Sequence, residues 1–232
     1  MANTKNLTTK NKTAKKTTTT KKTTKATTSK LPKITVSEKK KIIFLGSEAA
    51  PFIATGGLAD VLGSLPKALA KNKNLDISVI LPLYSNISSD FRSQFKFVTS
   101  FNTSVGWRWQ YVGVFAYEYQ GVKFYFLDNE YYFKRDGNIY GFFDDGERFA
   151  YYSRAALDTI ARLDIYPDVL HANDWQSAAS IIYLKGMYYG DKKFNRIKTV
   201  FTIHNIEYQG KFDMFTYGDL FGFFYFININ KR

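Results

Sequence analysis

Cysteine is absent from the 232-residue chain, and histidine occurs only at His171 and His204. These two scarcities exclude a disulfide framework, a thiolate metal site and a histidine-rich metal site. We predict neither a metal nor a cofactor for this chain. No apolar stretch is long enough to cross a bilayer, and the N-terminus lacks the apolar core of a secretory signal. We predict a cytoplasmic protein without a membrane partner.

Acidic residues are almost missing from the first 40 positions, which hold twelve Lys and one acid, Glu38. These positions carry +11 of the net charge of +13, and the other 192 residues are nearly neutral at +2. From Met1 to about Ser29 the chain is mostly Lys, Thr, Asn and Ala, a composition that predicts disorder because it buries too little apolar area. Such a tail can bind nucleic acid or anionic lipid, or be a solvated extension without a partner. The near-neutral body weighs against nucleic-acid binding.

From Lys40 onward, short apolar runs alternate with segments of helical periodicity. This alternation predicts an α/β fold with a mostly parallel sheet and helices on both of its faces. The predicted strands are Ile42–Leu45, Ile77–Leu81, Val169–Ala172 and Thr199–Ile203, of which all but Val169–Ala172 are expected to be buried. The predicted helices are one through Leu58–Leu69 that Pro66 kinks or delays, one from Glu147 to about Arg162 capped by Asp144 or Asp145, and one from about Gln176 to Tyr189.

Aromatic and β-branched residues fill positions 107–117 and 122–127, with Tyr119-Gln120-Gly121 between them. This pattern predicts a β-hairpin inserted into the α/β fold. Its Trp and Tyr rings can stack on sugars, but we expect them to belong to the core. After Asp219 the sequence offers neither a capped helix nor a clear strand, so residues 221–232 form an atypical C-terminus.

Polar residues collect in three loops, each at the predicted carboxyl end of a strand: Ser47–Asp60, His171–Trp175 and His204–Gly210. In open α/β sheets, ligands bind at those ends. Three such loops make a binding site more plausible than any one of them does.

Gly56 and Gly57 stand at a strand-to-helix junction, in the stretch TGGLAD. The stretch is neither the dinucleotide fingerprint nor a phosphate-binding P-loop. The glycines either form a tight turn or let a sugar or diphosphate approach the helix N-terminus. Spacing alone does not decide between these alternatives.

His204 and Asp174 each have both a structural and a functional interpretation. His204 and Asn205 together can bind sugar hydroxyls, although a lone histidine in this position is more often a buried, hydrogen-bonded one. Asp174, just before Trp175, can orient an acceptor hydroxyl, and it can also cap the helix predicted from about Gln176, since the two roles are compatible.

Four motifs resemble bacterial glycogen synthase and plant starch synthase, in that family's order and at its spacing. They cover most of residues 41–220 and read KIIFLGSEAAPF…TGGLADVLGSLPKAL, DNEYYFKRDGNIYGFFDDGERFAYYSRAAL, PDVLHANDWQSA and TVFTIHNIEYQGKF. The resemblance implies two Rossmann-like domains of the GT-B type that face a deep cleft. It also implies transfer of glucose from ADP-glucose to the non-reducing end of an α-1,4-glucan, with retention and without a metal.

Position by position, the resemblance assigns roles to particular residues. Gly56 and Gly57 match the glycine loop that approaches the donor phosphates, and Asp60 matches the aspartate after it. Asp174 matches an aspartate implicated in catalysis or acceptor placement, and His204, accompanied by Asn205, matches a histidine near the transferred glucose. Tyr140 and the segment Asp144–Arg148 match a loop beside the cleft.

The chain departs from the family pattern in two respects. Ala54 stands where the family usually has lysine, which removes a cation from the donor phosphates. The chain also stops near the end of the first domain, so we expect residues 1–38 to be a tail, 39–220 the N-terminal catalytic domain, and the nucleotide-binding domain to be missing or supplied by a separate C-terminal half. The alternatives to a glucosyltransferase are a non-catalytic glucan-binding remnant and, less favoured, a nucleic-acid binder acting through the tail.

Overall fold

Seven β-strands form one sheet in the part of the chain that the structure, a computed structural model, describes: residues 38–221. The strands are β1 (Lys40–Leu45), β2 (Leu75–Pro82), β3 (Lys96–Val105), β4 (Arg108–Tyr119), β5 (Val122–Asp128), β6 (Val169–Asn173) and β7 (Lys198–Thr202). The helices are α1 (Gly57–Ala70), α2 (Ser89–Arg92), α3 (Glu130–Phe133), α4 (Asp145–Arg162), α5 (Trp175–Gly186) and α6 (Met214–Phe221), with a 3-10 turn at Phe194–Arg196.

The sheet is mixed and mostly parallel, as predicted. Its order is β3-β4-β5-β2-β1-β6-β7. The five strands from β5 to β7 in this order are parallel, and β4 runs antiparallel to both β3 and β5. Central strands are apolar on both faces, since Leu45, Val79 and Phe126 are all fully buried, which is typical of a sheet covered on both sides.

Helices lie on both faces because the strand-to-strand connections run in opposite directions on the two sides of β1. The connection through α1 leads to β2 on one side of β1, whereas the connection through α5 leads from β6 to β7 on the other side. Right-handed crossovers therefore place α1 and α5 on opposite faces. Helix α4 packs against α5 and carries large side chains that are fully buried, among them Tyr151 and Tyr152.

The predicted hairpin is confirmed as β4 and β5, which pair from Gly113↔Asp128 to Tyr119↔Val122. Gln120 and Gly121 form the two-residue connection, and both have positive φ, at 51° and 78°, as a tight hairpin turn requires. The prediction missed β3, a third strand that pairs with β4. It also placed the hairpin aromatics in the core, which is wrong for Trp107, Trp109 and Tyr111, since all three are exposed.

Several local predictions need correction. Helix α1 runs without interruption through Pro66. Strand β7 exists but is not buried, because it lies at the sheet edge with Val200 and Phe201 exposed. Asp144 makes no side-chain cap on α4; its carboxylate instead receives two hydrogen bonds from Arg135, both 2.6 Å.

The ends of the chain were also the subject of predictions. Helix α6 reaches Phe221, although no helix was expected after Asp219. The predicted disordered tail up to residue 37 and the atypical segment from residue 222 lie outside the described residues. Within residues 38–221, no helix combines the length and apolarity needed to cross a membrane.

Candidate active site

A cleft of about 780 Å³ opens at the carboxyl ends of the central parallel strands. It lies where the strand order reverses, since β1 has β2 on one side and β6 on the other. Such switch points are where open α/β sheets bind ligands. The cleft wall includes six of the seven residues predicted for the site: Gly56, Gly57, Tyr140, Asp174, His204 and Asn205. The seventh, Asp60, is exposed on α1 and does not line the cleft.

Gly56 precedes α1 and Gly57 is its first residue, and the structure tests both explanations for the two glycines. Gly56 is extended, with φ −161°, and Gly57 is the first helical residue, so neither adopts the left-handed backbone that demands glycine. A Cβ at Gly57 would meet nothing within 4 Å, and one at Gly56 would meet only Glu48, at 3.8 Å. The tight-turn explanation is therefore wrong. Without side chains here, the uncapped N-terminus of α1 stands open to the cleft.

Asp174 lies at the junction of β6 and α5 in an unusual conformation, with φ +55° and ψ 175°. Residues with side chains rarely adopt this region, and holding one there costs about 1–3 kcal/mol. Its carboxylate does not cap α5. One oxygen instead accepts hydrogen bonds from the backbone N–H groups of His204, at 2.7 Å, and Asn205, at 3.4 Å. Asp174 thus joins the loop after β6 to the loop after β7, and it also lines the cleft.

The imidazole of His204 is oriented by Asn173, which is 1% exposed. The Asn173 amide nitrogen donates to the carbonyl oxygens of Leu45 and His171, at 3.0 and 3.1 Å. The amide oxygen must then be the atom that faces His204 Nε2, at 3.0 Å. Nε2 therefore carries the proton and donates it. In this tautomer Nδ1 is an acceptor, which suits a sugar hydroxyl.

Two polar residues of the loop after β1 support the site but were not singled out from the sequence, which indicated only their loop. Glu48 lines the cleft, is only 3% exposed, and accepts hydrogen bonds from Thr55, at 2.5 Å from the backbone N–H and 2.8 Å from the hydroxyl. Ser47 shares a 2.6 Å hydrogen bond with the Tyr140 hydroxyl. Burial, reinforced by the Glu48 carboxylate, raises the pKa of Tyr140, so this hydroxyl stays protonated and able to donate.

The loop of residues 134–146 brings Tyr140 and Asp145 to the cleft and is fixed by Arg148, which is fully buried. The Arg148 guanidinium donates to the carbonyl oxygens of Tyr132 and Ile139, and to Asp145 at 2.5 Å. Because it holds both ends of the loop, Arg148 positions this wall of the cleft without lining it.

The cleft is acidic on the side that the structure describes. Its lining residues include three carboxylates, Glu48, Asp145 and Asp174, and no Lys or Arg among the described positions. Ala54, at the position where a lysine was expected, is exposed next to Thr55. The donors that this part of the lining could offer to an anion are backbone N–H groups at the starts of α1 and α5. Residues 38–221 contain no group of three or more His, Asp or Glu arranged to hold a metal ion.

Together, the sheet order and the cleft define a Rossmann-like α/β domain with its ligand site at the strand ends. The chain belongs to the starch synthase catalytic domain family, whose pattern matches residues 41–230.

Individual relatives agree with this assignment. The chain is 51% identical over 184 residues to the glycogen synthase of Exiguobacterium sibiricum and 52% identical over 183 residues to that of Clostridium novyi. Each match covers 78% of this chain and 38% of the relative. A solved structure, the catalytic domain of starch synthase IV from Arabidopsis thaliana bound to ADP and acarbose, aligns with a TM-score of 0.69 and 29% identity, over 79% of this chain and 37% of that one. The chain thus spans well under half the length of the relatives it matches.

Proposed function

We propose that this chain provides one wall of the active site of a glycogen or starch synthase. The reaction is transfer of glucose from ADP-glucose to the non-reducing end of an α-1,4-glucan with retention of configuration. One observation carries the proposal: the open N-terminus of α1, the Asp174 carboxylate and the His204 imidazole all face the same cleft. The family membership and the ADP and acarbose bound to the Arabidopsis protein support the choice of substrates.

In this proposal, the residues act by positioning and by electrostatics. The N–H groups at Gly56 and Gly57 donate to the leaving diphosphate, because no side chain keeps it away. His204 and Asn205 hold hydroxyls of the transferred glucose, Asp174 places the acceptor and stabilises positive charge on the sugar, and Tyr140 donates to a hydroxyl. None of these assigned roles is that of a covalent nucleophile, and we favour a front-face route assisted by the leaving phosphate over double displacement.

The acidic lining of the cleft indicates that cationic partners for the diphosphate must come from elsewhere. A diphosphate leaving group gains most from charge-assisted hydrogen bonds, and the described lining residues offer no cationic side chain. We propose that a second domain, or a separate C-terminal half, supplies those cations and most of the nucleotide contacts. A cytoplasmic location for this reaction stays a prediction.

The test is incorporation of radiolabelled glucose from ADP-glucose into glycogen. The chain is assayed alone and mixed with the part of the Clostridium novyi enzyme that lies beyond the matched region. We expect incorporation in the mixture and its loss with His204→Ala, with His171→Gln as the matched control. Glycogen binding by the chain without incorporation in either assay would contradict the proposal and favour a non-catalytic glucan-binding remnant.

A further inference from the structure

Residues 210–219 continue the loop after β7 and form most of α6, and we call them the α6 segment. The loop that they follow, residues 203–209, lines the cleft with His204, Asn205 and Tyr208. Among the described residues that line the cleft, none belongs to the α6 segment. The segment can therefore hold one end of the cleft loop without contacting a ligand.

The α6 segment lies so close to the rest of the domain that two of the contacts leave no room for a side chain. A Cβ at Gly210 would stand 2.3 Å from the Trp175 ring, and one at Gly146 would stand 2.7 Å from the Phe212 ring. The Trp175 ring also lies near that of Phe212, with their centroids 5.9 Å apart. Since Trp175 lines the cleft, the end of the cleft loop is packed directly against a cleft residue.

The other end of the α6 segment is held by a charged pair. One carboxylate oxygen of Asp219 accepts a hydrogen bond from Arg108 at 2.8 Å, and the other accepts one from the Trp107 indole at 3.0 Å. Arg108 Nε also lies 3.1 Å from the carboxylate of Glu147, in the first turn of α4. The Arg108 side chain is only 18% exposed. Arg108 thus joins the start of β4 to both α4 and α6.

Packing alone gives α6 little stability. Met214 and Phe215 are exposed, and Tyr217 and Leu220 are only partly buried against the core. A helix of eight residues is too short to persist by itself in water. The position of α6 therefore depends on its tertiary contacts, among them the half-buried ion pair with Arg108.

The two ends of the cleft loop have different anchors. Asp174 holds the start of the loop through the backbone N–H of His204, at 2.7 Å. Beyond Asn205, the hydrogen bonds that the described residues show for the loop are internal to it, and the Tyr208 side chain is 70% exposed. The second end is thus held where Gly210 meets the α6 segment.

We propose that Arg108 is a positioning residue for the cleft. By holding Asp219 it fixes the α6 segment, and through that segment it keeps the cleft loop in the conformation that receives the substrate. The inference rests on the proposed function only in naming ADP-glucose as that substrate. Without the ion pair, the loop is ordered in a smaller fraction of the molecules. Apparent affinity falls by that fraction, whereas saturating substrate restores the ordered conformation.

Hydrogen exchange of the full chain without ligand tests the positioning directly. Asp219→Asn and Arg108→Gln each remove the charge from one side of the pair, and Arg108→Lys keeps it. We expect the backbone amides of residues 204–213 to exchange about tenfold faster in the first two variants, the loss of one half-buried charged hydrogen bond. Arg108→Lys should exchange more slowly than Arg108→Gln.

Arg154→Gln is the matched control. Arg154 pairs with Asp158 on α4, their side chains are 19% and 24% exposed, and the Arg154 guanidinium lies over the ring of Tyr188. The control loses a comparable ion pair, so we expect the exchange of residues 204–213 to match the wild type. Unchanged exchange in Asp219→Asn, or equal acceleration in Arg154→Gln, would overturn the proposal.

The reconstituted transfer assay separates positioning from chemistry. In Asp219→Asn we expect KM for ADP-glucose to rise about tenfold while kcat stays within about twofold of the wild type, and in Arg154→Gln neither to change. A lower kcat at unchanged KM would also contradict the proposal, because saturating substrate would then fail to restore the loop. Failure of the proposed function has a different signature: no incorporation even by the wild type, although the exchange difference between the wild type and Asp219→Asn persists.

Discussion

One carboxylate oxygen of Asp174 lies 2.7 Å from the backbone nitrogen of His204, thirty residues further along the chain. This contact joins two strand-end loops that each carry one candidate catalytic residue. The backbone strain at Asp174 is therefore located where the loops after β6 and β7 must be held in register.

Replacing Asp174 with asparagine removes the negative charge but keeps an acceptor for the His204 N–H, so the two roles can be measured separately. Asn retains an oxygen that can accept the His204 N–H, so we expect the free energy of unfolding to change by less than about 1 kcal/mol. Loss of the negative charge should lower glucose transfer in the reconstituted assay by about 10²- to 10³-fold. Asp174→Ala, which also leaves the N–H unpaired, should cost about 1–3 kcal/mol in stability. Transfer by Asp174→Asn at the wild-type rate would remove Asp174 from the mechanism.

Replacing Ala54 with lysine should restore a cation beside the start of α1. The position is exposed and precedes Thr55, so a long side chain has room. A charge-assisted hydrogen bond contributes about 1.5–3 kcal/mol, so we expect at least a tenfold gain in ADP affinity by calorimetry. Ala54→Gln, of similar length but without the charge, is the control. A gain that persists unchanged in high salt, or that appears equally in the Gln variant, would argue against an electrostatic cause.

Two buried tyrosines should respond oppositely to loss of their hydroxyl groups. The Tyr152 hydroxyl donates to the Ile80 carbonyl oxygen at 2.6 Å and accepts from the Gly46 N–H at 3.0 Å. Tyr152→Phe should lower the free energy of unfolding in urea by about 1–3 kcal/mol, because it leaves buried backbone groups unpaired. The Tyr84 hydroxyl is buried and has no hydrogen-bond partner within residues 38–221, so Tyr84→Phe should be neutral or stabilising. Equal destabilisation by the two changes would contradict this assignment.

His171 should make stability fall on mild acidification. Burial, with a smaller contribution from His204, lowers the pKa of His171 below its ordinary value of 6.5. Below about pH 6.5 the unfolded chain binds a proton that the native chain does not. The free energy of unfolding should therefore decrease as pH falls from 6.5 toward the lower native pKa, and change little above 7. Urea titrations at several pH values should show this slope in the wild type and a flatter one in His171→Gln.

Local rules predicted much of the fold from the sequence. The alternation of strands and helices gave the parallel sheet, and Gln120-Gly121 specified the hairpin turn because two residues must adopt positive φ there. Strand β3 was missed because most of its side chains are exposed or half-buried and many are polar, so its apolar periodicity is weak. Strand β7 was assigned as buried because its apolar residues do not reveal that it lies at a sheet edge.

The candidate site was less predictable where tertiary contacts determine which residues line the cleft. Gly56, Asp174 and His204 were found because they stand at strand ends and in recognisable motifs. Glu48 has no such signal, since a glutamate after a strand is ordinarily exposed, and its tertiary contacts, among them the hydrogen bonds from Thr55, offset the cost of its burial. Asp60 follows the glycines by three positions, but the helical turn takes its side chain away from the cleft.

The empty space in front of Gly57 means that stability and recognition can be varied separately at this residue. Alanine has the higher helix propensity and would touch nothing that folding has placed there. A folding screen would accept such a replacement, whereas a screen for ligand capture would reject it. The loss of ligand affinity in a replacement that leaves stability intact would indicate how closely a bound diphosphate approaches the first turn of α1.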